Sequence, residues 1–251
     1  MNLSQTKFPE IPSKSPKFMD ILHARAVSAF AQRPLQDETA IDVSRTLMQS
    51  AKYNLTKGRD SRASRRLTSA IGLLEEQQAL LKSTDPSLKS AVSSENTYGQ
   101  LAGMLSDCYI CLGGIKYNRG RSDTHNLSKY KRLLRNFEGA IVDYTKAIEY
   151  VSINPSAYNS RGNAKYMLGK YEDAIADFDQ AIFQAPECAS AHYNRGDTKY
   201  HLYWSVYWSN RPDGTLEGAK ADIIKSVELY QAQNQPEKAK SIKDMFQTFW
   251  L

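Results

Sequence analysis

The sequence predicts an all-α fold: an α-solenoid of helix-turn-helix units with an inserted extension and a C-terminal capping helix. Three observations carry that prediction. Apolar residues recur on a helical period in nearly every segment beyond residue 18. No run of alternating β-branched residues is long enough for a strand. A block of sequence returns after 34 positions, the mark of stacked repeats. The composition, 41% hydrophobic and 24% charged over 251 residues, is that of an ordinary globular chain and excludes a wholly disordered, collagen-like or membrane-spanning protein.

Taken in order, residues 1–17 hold Pro9, Pro12 and Pro16 among Ser and Lys. With little to bury, they predict a flexible arm. Residues 18–35 predict an N-terminal helix, with Ile21, Leu22, Ala26, Ala29 and Phe30 on one period and Pro34 stopping it. The helical domain then spans 36–251. Its first helix, about 38–57, places Ile41, Val43, Leu47, Ala51 and Leu55 on a helical period, and Lys57-Gly58-Arg59 makes its cap and turn. Asp60 caps the next helix, which runs through Ala63, Leu67, Ala70, Leu73, Leu74 and Leu80 and ends near Asp85-Pro86. After a polar loop over 83–94, a long helix over 96–117 carries Leu101, Met104, Leu105, Tyr109, Leu112 and Ile115, and residues 118–126 break it. Gly113-Gly114 inside that helix predicts close packing or a kink.

The repeat is read from two stretches. Residues 136–149, Asn-Phe-Glu-Gly-Ala-Ile-Val-Asp-Tyr-Thr-Lys-Ala-Ile-Glu, align with 170–183, Lys-Tyr-Glu-Asp-Ala-Ile-Ala-Asp-Phe-Asp-Gln-Ala-Ile-Phe, 34 positions on. Residues 158–166, Tyr-Asn-Ser-Arg-Gly-Asn-Ala-Lys-Tyr, align with 192–200, His-Tyr-Asn-Arg-Gly-Asp-Thr-Lys-Tyr, at the same interval. On these residues the chain resembles the tetratricopeptide-repeat family, and the spelling is similar to that of cyanobacterial and plastid-type members. The unit 155–188 fits most clearly. Tyr158 stands at the first aromatic position and Gly162 at the small position of helix A. Leu168 and Tyr171 stand at the turn, Ala174, Phe178 and Ala181 lie along helix B, and Pro186 closes the unit. Small residues let the two helices approach, and Phe178 fills the gap between them.

The other units depart from this pattern. In 189–232, the alanine expected 12 residues after Gly196 is Ala219, so 11 residues are inserted. That predicts a helix A lengthened through Trp208, with Arg211-Pro212-Asp213-Gly214 as the turn. In the irregular unit 96–154, Ala140, Tyr144 and Ala147 make helix B. Its helix A is either 124–134 or the longer 96–117 followed by an insertion. A degenerate unit, 44–82, has Ala51, Ala63, Leu67 and Ala70 at the family offsets. A capping helix, 236–250, covers the solenoid end, which otherwise exposes apolar surface.

Nothing points to catalysis or to a cofactor. Cys108-Tyr-Ile-Cys111 lacks the second ligand pair of a zinc site and the βαβ context of a redox site, so it reads as two small buried side chains. His23, His125, His192 and His201 form no metal-ligand spacing, and no P-loop, dinucleotide or nucleophile-elbow motif occurs. Three cysteines are too few for a disulfide scaffold and suggest a reducing compartment. The N-terminus lacks a secretory signal pattern and no 18-residue apolar run occurs, which predicts a cytoplasmic protein.

Binding surfaces are more legible. The resemblance implies that helix A residues line a groove holding a protein or peptide partner: Asn159, Asn163, Tyr166, Tyr193, Asn194, Asp197, Tyr200 and His201. An Asn amide can both donate to and accept from an extended backbone. Some family members clamp a peptide's terminal carboxylate with Lys, Arg and Asn. Asn163 and Asn194 match the asparagines, but Asn159 stands where a lysine is expected, so that specificity is not carried over. An aromatic extension, Tyr203, Trp204, Tyr207 and Trp208, is either an interface or internal packing. Residues 116–135 hold seven bases, Lys116, Arg119, Arg121, Lys129, Lys131, Arg132 and Arg135, against one acid, Asp123. The net charge of +6 therefore sits there, and the other residues sum to zero. Such a patch suits RNA phosphates, an anionic membrane or an acidic partner, or is a solvated loop. Arg59, Arg62, Arg65 and Arg66 form a second basic face that merges with the first if the units stack. The reading that follows is a non-enzymatic interaction scaffold or assembly factor, with assembly of a photosynthetic complex suggested by the repeat spelling.

Overall fold

The computed structural model describes residues 37–82, 95–121, 127–206 and 214–247. The arm over 1–17, the helix over 18–35 and the polar loop over 83–94 lie outside them. Among the described residues there are nine helices and no strand. In chain order they are α1 (Asp37–Thr56), α2 (Asp60–Lys82), α3 (Glu95–Arg121), α4 (Leu127–Tyr150), α5 (Pro155–Met167), α6 (Tyr171–Gln184), α7 (Ala189–Val206), α8 (Gly214–Ala232) and α9 (Pro236–Met245). They pair as α1 with α2, α3 with α4, α5 with α6 and α7 with α8, each pair stacking on the next, and α9 packs on α8. This is the solenoid that the repeats predict.

The turns inside the hairpins follow from single residues. Gly58 and Gly169 have φ of +64° and +73°, a left-handed conformation that glycine adopts without steric cost. After Gly58, Arg59 N–H donates to Asn54 C=O at 2.8 Å, and after Gly169, Lys170 N–H donates to Lys165 C=O at 3.0 Å, each closing the last turn of a helix. Asn234, at φ 56°, does the same between α8 and α9. Between units, Asn154 caps α5 by accepting from Ala157 N–H at 3.1 Å, and its amide donates to Ser106 Oγ at 3.0 Å. Ser106 in turn donates to Ala147 C=O at 2.9 Å, so one polar chain ties α3, α4 and α5.

Inside each unit a small residue of helix A meets a large one of helix B. A side chain at Gly162 would begin 2.6 Å from the fully buried ring of Phe178. The degenerate unit uses the same offsets, with Ala51, Ala63, Leu67 and Ala70 all buried.

The irregular unit differs from one of its two sequence readings. Its helix A is the long α3, not 124–134, and α3 runs to Arg121 rather than breaking at 118. A Cβ at Gly113 would stand 2.7 Å from the Tyr144 ring, and seven residues further on one at Gly120 would stand 2.7 Å from the Phe137 ring. The antiparallel contact thus continues for two extra turns on both helices. The insertion is an elongated hairpin, because the small-against-aromatic match carries on past the family's boundary. The unit with the second insertion has a helix A through Val206 and a helix B from Gly214; Tyr207, Trp208 and the turn between them lie outside the described residues. The capping helix is α9, with residues 248–250 outside the described residues.

Candidate functional site

The register of helix A decides which side chains are committed to pairing inside the fold and which stand on its other flank. Successive residues turn by about 100°, so positions one before and three after the small residue fall on one flank. Positions three before, one after and four after fall on the other. In α5 the first set is Arg161 and Lys165, and in α7 it is Arg195 and Lys199. All four cations are consumed inside the fold. Arg161 makes a two-pronged pair with buried Asp177, donating from Nε at 2.9 Å and from Nη2 at 2.7 Å, and Lys165 Nζ lies 2.8 Å from the same carboxylate. Arg195 grips Asp222 in the same way, with Nε at 2.8 Å, and Lys199 Nζ also lies at 2.8 Å. Burial alone raises the Asp222 carboxyl, but hydrogen bonds from Arg195 and Lys199, with His192 Nδ1 3.7 Å away, overcome it and hold the group well below the usual carboxylate range. The motif Arg-Gly-x-x-Lys on helix A with Asp on helix B is present at 161–165 and 195–199. Its regular spacing was the signal for this network, which the sequence reading did not use.

The second flank is the proposed groove. From α5 it presents Asn159, Asn163 and Tyr166, and from α7 Tyr193, Asp197 and Tyr200. Asn194 and His201 of α7 lie beside them and make contact with the α5 residues. Asn194 Nδ2 donates to Asn159 Oδ1 at 2.9 Å, so these two amides hold α5 against α7. The Tyr166 hydroxyl donates to the Asp197 carboxylate, and His201 Nε2 lies 3.8 Å from Asp197 Oδ1. Tyr166 meets His201 edge-on at 5.5 Å, and Tyr171 stacks on His201 at 6.4 Å. Tyr193 and Tyr200 turn toward the capping helix, meeting Phe246 at 6.4 and 5.9 Å. Asn163 is partly exposed. Burial raises the Asp197 carboxyl, and His201 and Tyr166 offset that only in part. Burial, with Asp197 nearby, also pushes the Tyr193 hydroxyl up to about 12.

In the aromatic extension, Trp204 is 50% exposed and meets Tyr200 at 6.0 Å and Tyr203 at 5.5 Å, both edge-on. At the other end of the solenoid, Arg45, Met48, Gln49 and Lys52 of α1 and Gln100, Gly103, Met104 and Asp107 of α3 line a cleft of about 420 Å³. Sequence reasoning did not single out this cleft, because its residues are shared between the degenerate unit and the irregular one, where no family position marks a groove.

The basic residues divide. Lys116 Nζ lies 2.7 Å from buried Asp143 and serves the α3–α4 contact rather than a surface. Arg66 is likewise buried, not part of an exposed face. Arg119 Nη2 lies 3.5 Å from Ser61 Oγ, which brings the elongated hairpin beside Arg59, Arg62 and Arg65, all exposed at the start of α2. Arg132 and Arg135 are exposed on α4, while the side chains of Arg121, Lys129 and Lys131 lie outside the described residues. Cys108 is fully buried, and burial pushes its thiol up to about 12, the setting of an inert packing residue. Among the described residues no group of His, Cys, Asp and Glu is placed to hold a metal ion, and no helix is long and apolar enough to cross a membrane.

Residues 162–202 match the TPR repeat family. No curated protein matches the chain. Among solved structures, the C-terminal TPR-containing domain of a Plasmodium falciparum FK506-binding protein is similar in fold, at 13% identity and a TM-score of 0.51, over 69% of this chain and 97% of that one. The second TPR of Spaghetti, solved with an HSP90 peptide, matches at 26% identity and a TM-score of 0.34, over 47% of this chain and 91% of that one. MamA matches at 16% identity and a TM-score of 0.40, over 74% of this chain and 96% of that one.

Proposed function

Because the chain is a tetratricopeptide-repeat protein, we propose that it works as a non-enzymatic scaffold holding a protein or peptide partner in the groove between α5 and α7. The observation that supports this reading is the division of helix A into two flanks. Every Lys and Arg that the register places on the inner flank of α5 and α7 is bound to Asp177 or Asp222. The other flank keeps amides, phenols and one carboxylate at the surface. Such groups serve an extended peptide backbone, and Trp204 beside them supplies the exposed aromatic area typical of interface hot spots. A cytoplasmic setting fits the three free thiols. An assembly role, and within it assembly of a photosynthetic complex, rests on the spelling of the repeats alone.

Affinity capture with the wild-type chain beside Asn163→Ala/Tyr200→Ala and Trp204→Ala variants tests the groove. Loss of the same partner by either variant supports it, and retention of every partner by both removes it.

A second reading, RNA binding, draws on one observation: the contact of Arg119 with Ser61 joins the exposed arginines of α2 to those of the elongated hairpin. It predicts RNA affinity that falls steeply with salt and weakens in Arg62→Gln/Arg65→Gln/Arg135→Gln. Absence of RNA binding at low salt, or equal retention on anionic vesicles, counts against it.

A further inference from the structure

We infer that the groove takes a partner segment presenting a Lys or Arg side chain to Asp197, against the rings of Tyr166 and His201, rather than an acidic segment or a terminal carboxylate. This rests on the groove reading above and specifies its ligand.

The inference follows from what the register leaves exposed. A groove that binds carboxylates needs cations aimed into it. Here Arg161, Lys165, Arg195 and Lys199 point to the opposite flank and are paired at 2.6 to 2.9 Å with Asp177, Asp179 and Asp222. The groove-facing set keeps Asp197 as its only carboxylate and contains no Lys or Arg. The same helical position is Asn163 one unit earlier and Gly114 two units earlier, so the acid is particular to the last unit.

Asp197 is also short of counter-charge. Asp222, on α8, is gripped by a guanidinium and an ammonium. Asp197 has a phenol and an imidazole 3.8 Å away. Its raised carboxyl reflects the same shortfall: burial costs the charged form more than its two neighbours return. A cation from outside completes the set. The surrounding rings suit that role, since Tyr166, Tyr171 and His201 lie within 5.5 to 6.4 Å of one another, and two of them, Tyr166 and His201, adjoin the carboxylate. Guanidinium fits best, because it stacks on rings and pairs with a carboxylate in one plane.

Bulk electrostatics points the other way, which makes the test decisive. A chain of net charge +6 attracts acidic peptides non-specifically. The experiment uses immobilised full chain and four pools of N-acetylated randomised nonapeptides. Three are C-terminal amides with Arg, Gln or Glu fixed at the centre; the fourth has Gln at the centre and a free carboxylate. The Arg pool is expected to be retained about five- to tenfold over the Gln pool. Asp197→Asn should erase that preference, and Asp197→Glu should keep it. Equal retention of the Arg and Gln pools, or preference for the Glu or free-carboxylate pool, overturns the inference. If Asn163→Ala/Tyr200→Ala then still lowers retention of every pool, the groove stands and only its ligand is wrong. If no pool binds the wild type, both readings fail.

Discussion

Gly162 and Gly72 are both helix-interior glycines, and their surroundings give replacement by alanine opposite signs. In an open helix that change gains about 1 kcal/mol from backbone entropy. Gly72 lies exposed on α2 with nothing within 4 Å of where a Cβ would stand, so Gly72→Ala keeps the whole gain. At Gly162 the new methyl would sit 2.6 Å from a Phe178 ring that is itself fully buried and has no room to retreat. Overpacking of that kind costs about 1 to 3 kcal/mol and outweighs the propensity gain. Thermal unfolding should therefore show Gly72→Ala raising the midpoint by about 2 to 4 °C and Gly162→Ala lowering it by a similar amount or more. Adding Phe178→Leu to Gly162→Ala tests the cause: the combined loss should be smaller than the sum of the two single losses, since each change makes room for the other. Strict additivity would mean that the glycine serves some purpose other than close approach.

Between paired helices, the carboxylate of helix B occupies one register position in three units, Asp143, Asp177 and Asp222, yet the environments differ. Asp222 is held by Arg195 and Lys199, with His192 Nδ1 3.7 Å away, whereas Asp143 pairs with Lys116 and feels Lys146 only through its charge, which leaves Oδ2 in an ion pair without a well-directed hydrogen bond. Burial therefore wins at Asp143 and raises its carboxyl, but loses at Asp222. Asp222→Asn strands Lys199 and leaves Arg195 only the exposed Asp179, and should cost about 3 to 5 kcal/mol at pH 7, while Asp143→Asn should change stability by less than about 1 kcal/mol. The pH dependence has opposite signs. The depressed carboxyl of Asp222 contributes stability above the usual carboxylate value near 4, and that contribution is lost as the pH falls below it. The raised carboxyl of Asp143 binds its proton more readily in the folded state, so the fold gains as the pH falls through its titration. Urea unfolding at pH 7 and pH 3 should show the gap between wild type and Asp222→Asn narrowing in acid; a constant gap would rule out the charge-pair account. This network also marks where the sequence was and was not legible. The small-to-large matches, Gly162 with Phe178 and Ala51 with Leu67, follow a fixed offset and could be read directly. The helix A of the irregular unit could not, because the 34-residue period and the amphipathic pattern pointed to different segments. Only the contacts of Gly113 and Gly120 show why the longer one wins. The flank on which the residues proposed for the groove stand could be read from position, but their mutual contacts could not: that Asn194 binds Asn159 depends on how α7 sits against α5, which no local pattern encodes.

Across the whole molecule, the main helix contacts among the described residues run within a unit or between neighbouring units, so stability is close to a sum of units and of the interfaces between them. The interface at the C-terminal end is formed by α9, whose Ala239 and Ile242, with the adjoining Phe246, close a cluster over Ile223 and Val227. Tyr193 and Tyr200 pack against the same cluster, so the capping helix orders one side of the proposed groove. At the other end, the larger cluster of α1, α2 and α3 has no member on α7, α8 or α9. Damage to the cap should therefore stay local. Ile242→Ala/Phe246→Ala removes two buried side chains worth about 2 to 5 kcal/mol each. Much of that loss should appear as fraying of α8 and α9 rather than as global unfolding. Hydrogen exchange resolved by segment should show amides of α8 and α9, and the groove side of α7, exchanging at least about tenfold faster. Those of α2 and α4 should be unchanged. The same variant should lose peptide binding while keeping its helical content at low temperature, because the groove is built on the last interface of the stack. Faster exchange spread evenly over all nine helices would instead mean that the solenoid melts as one unit, and that the groove draws its order from the whole core rather than from its cap.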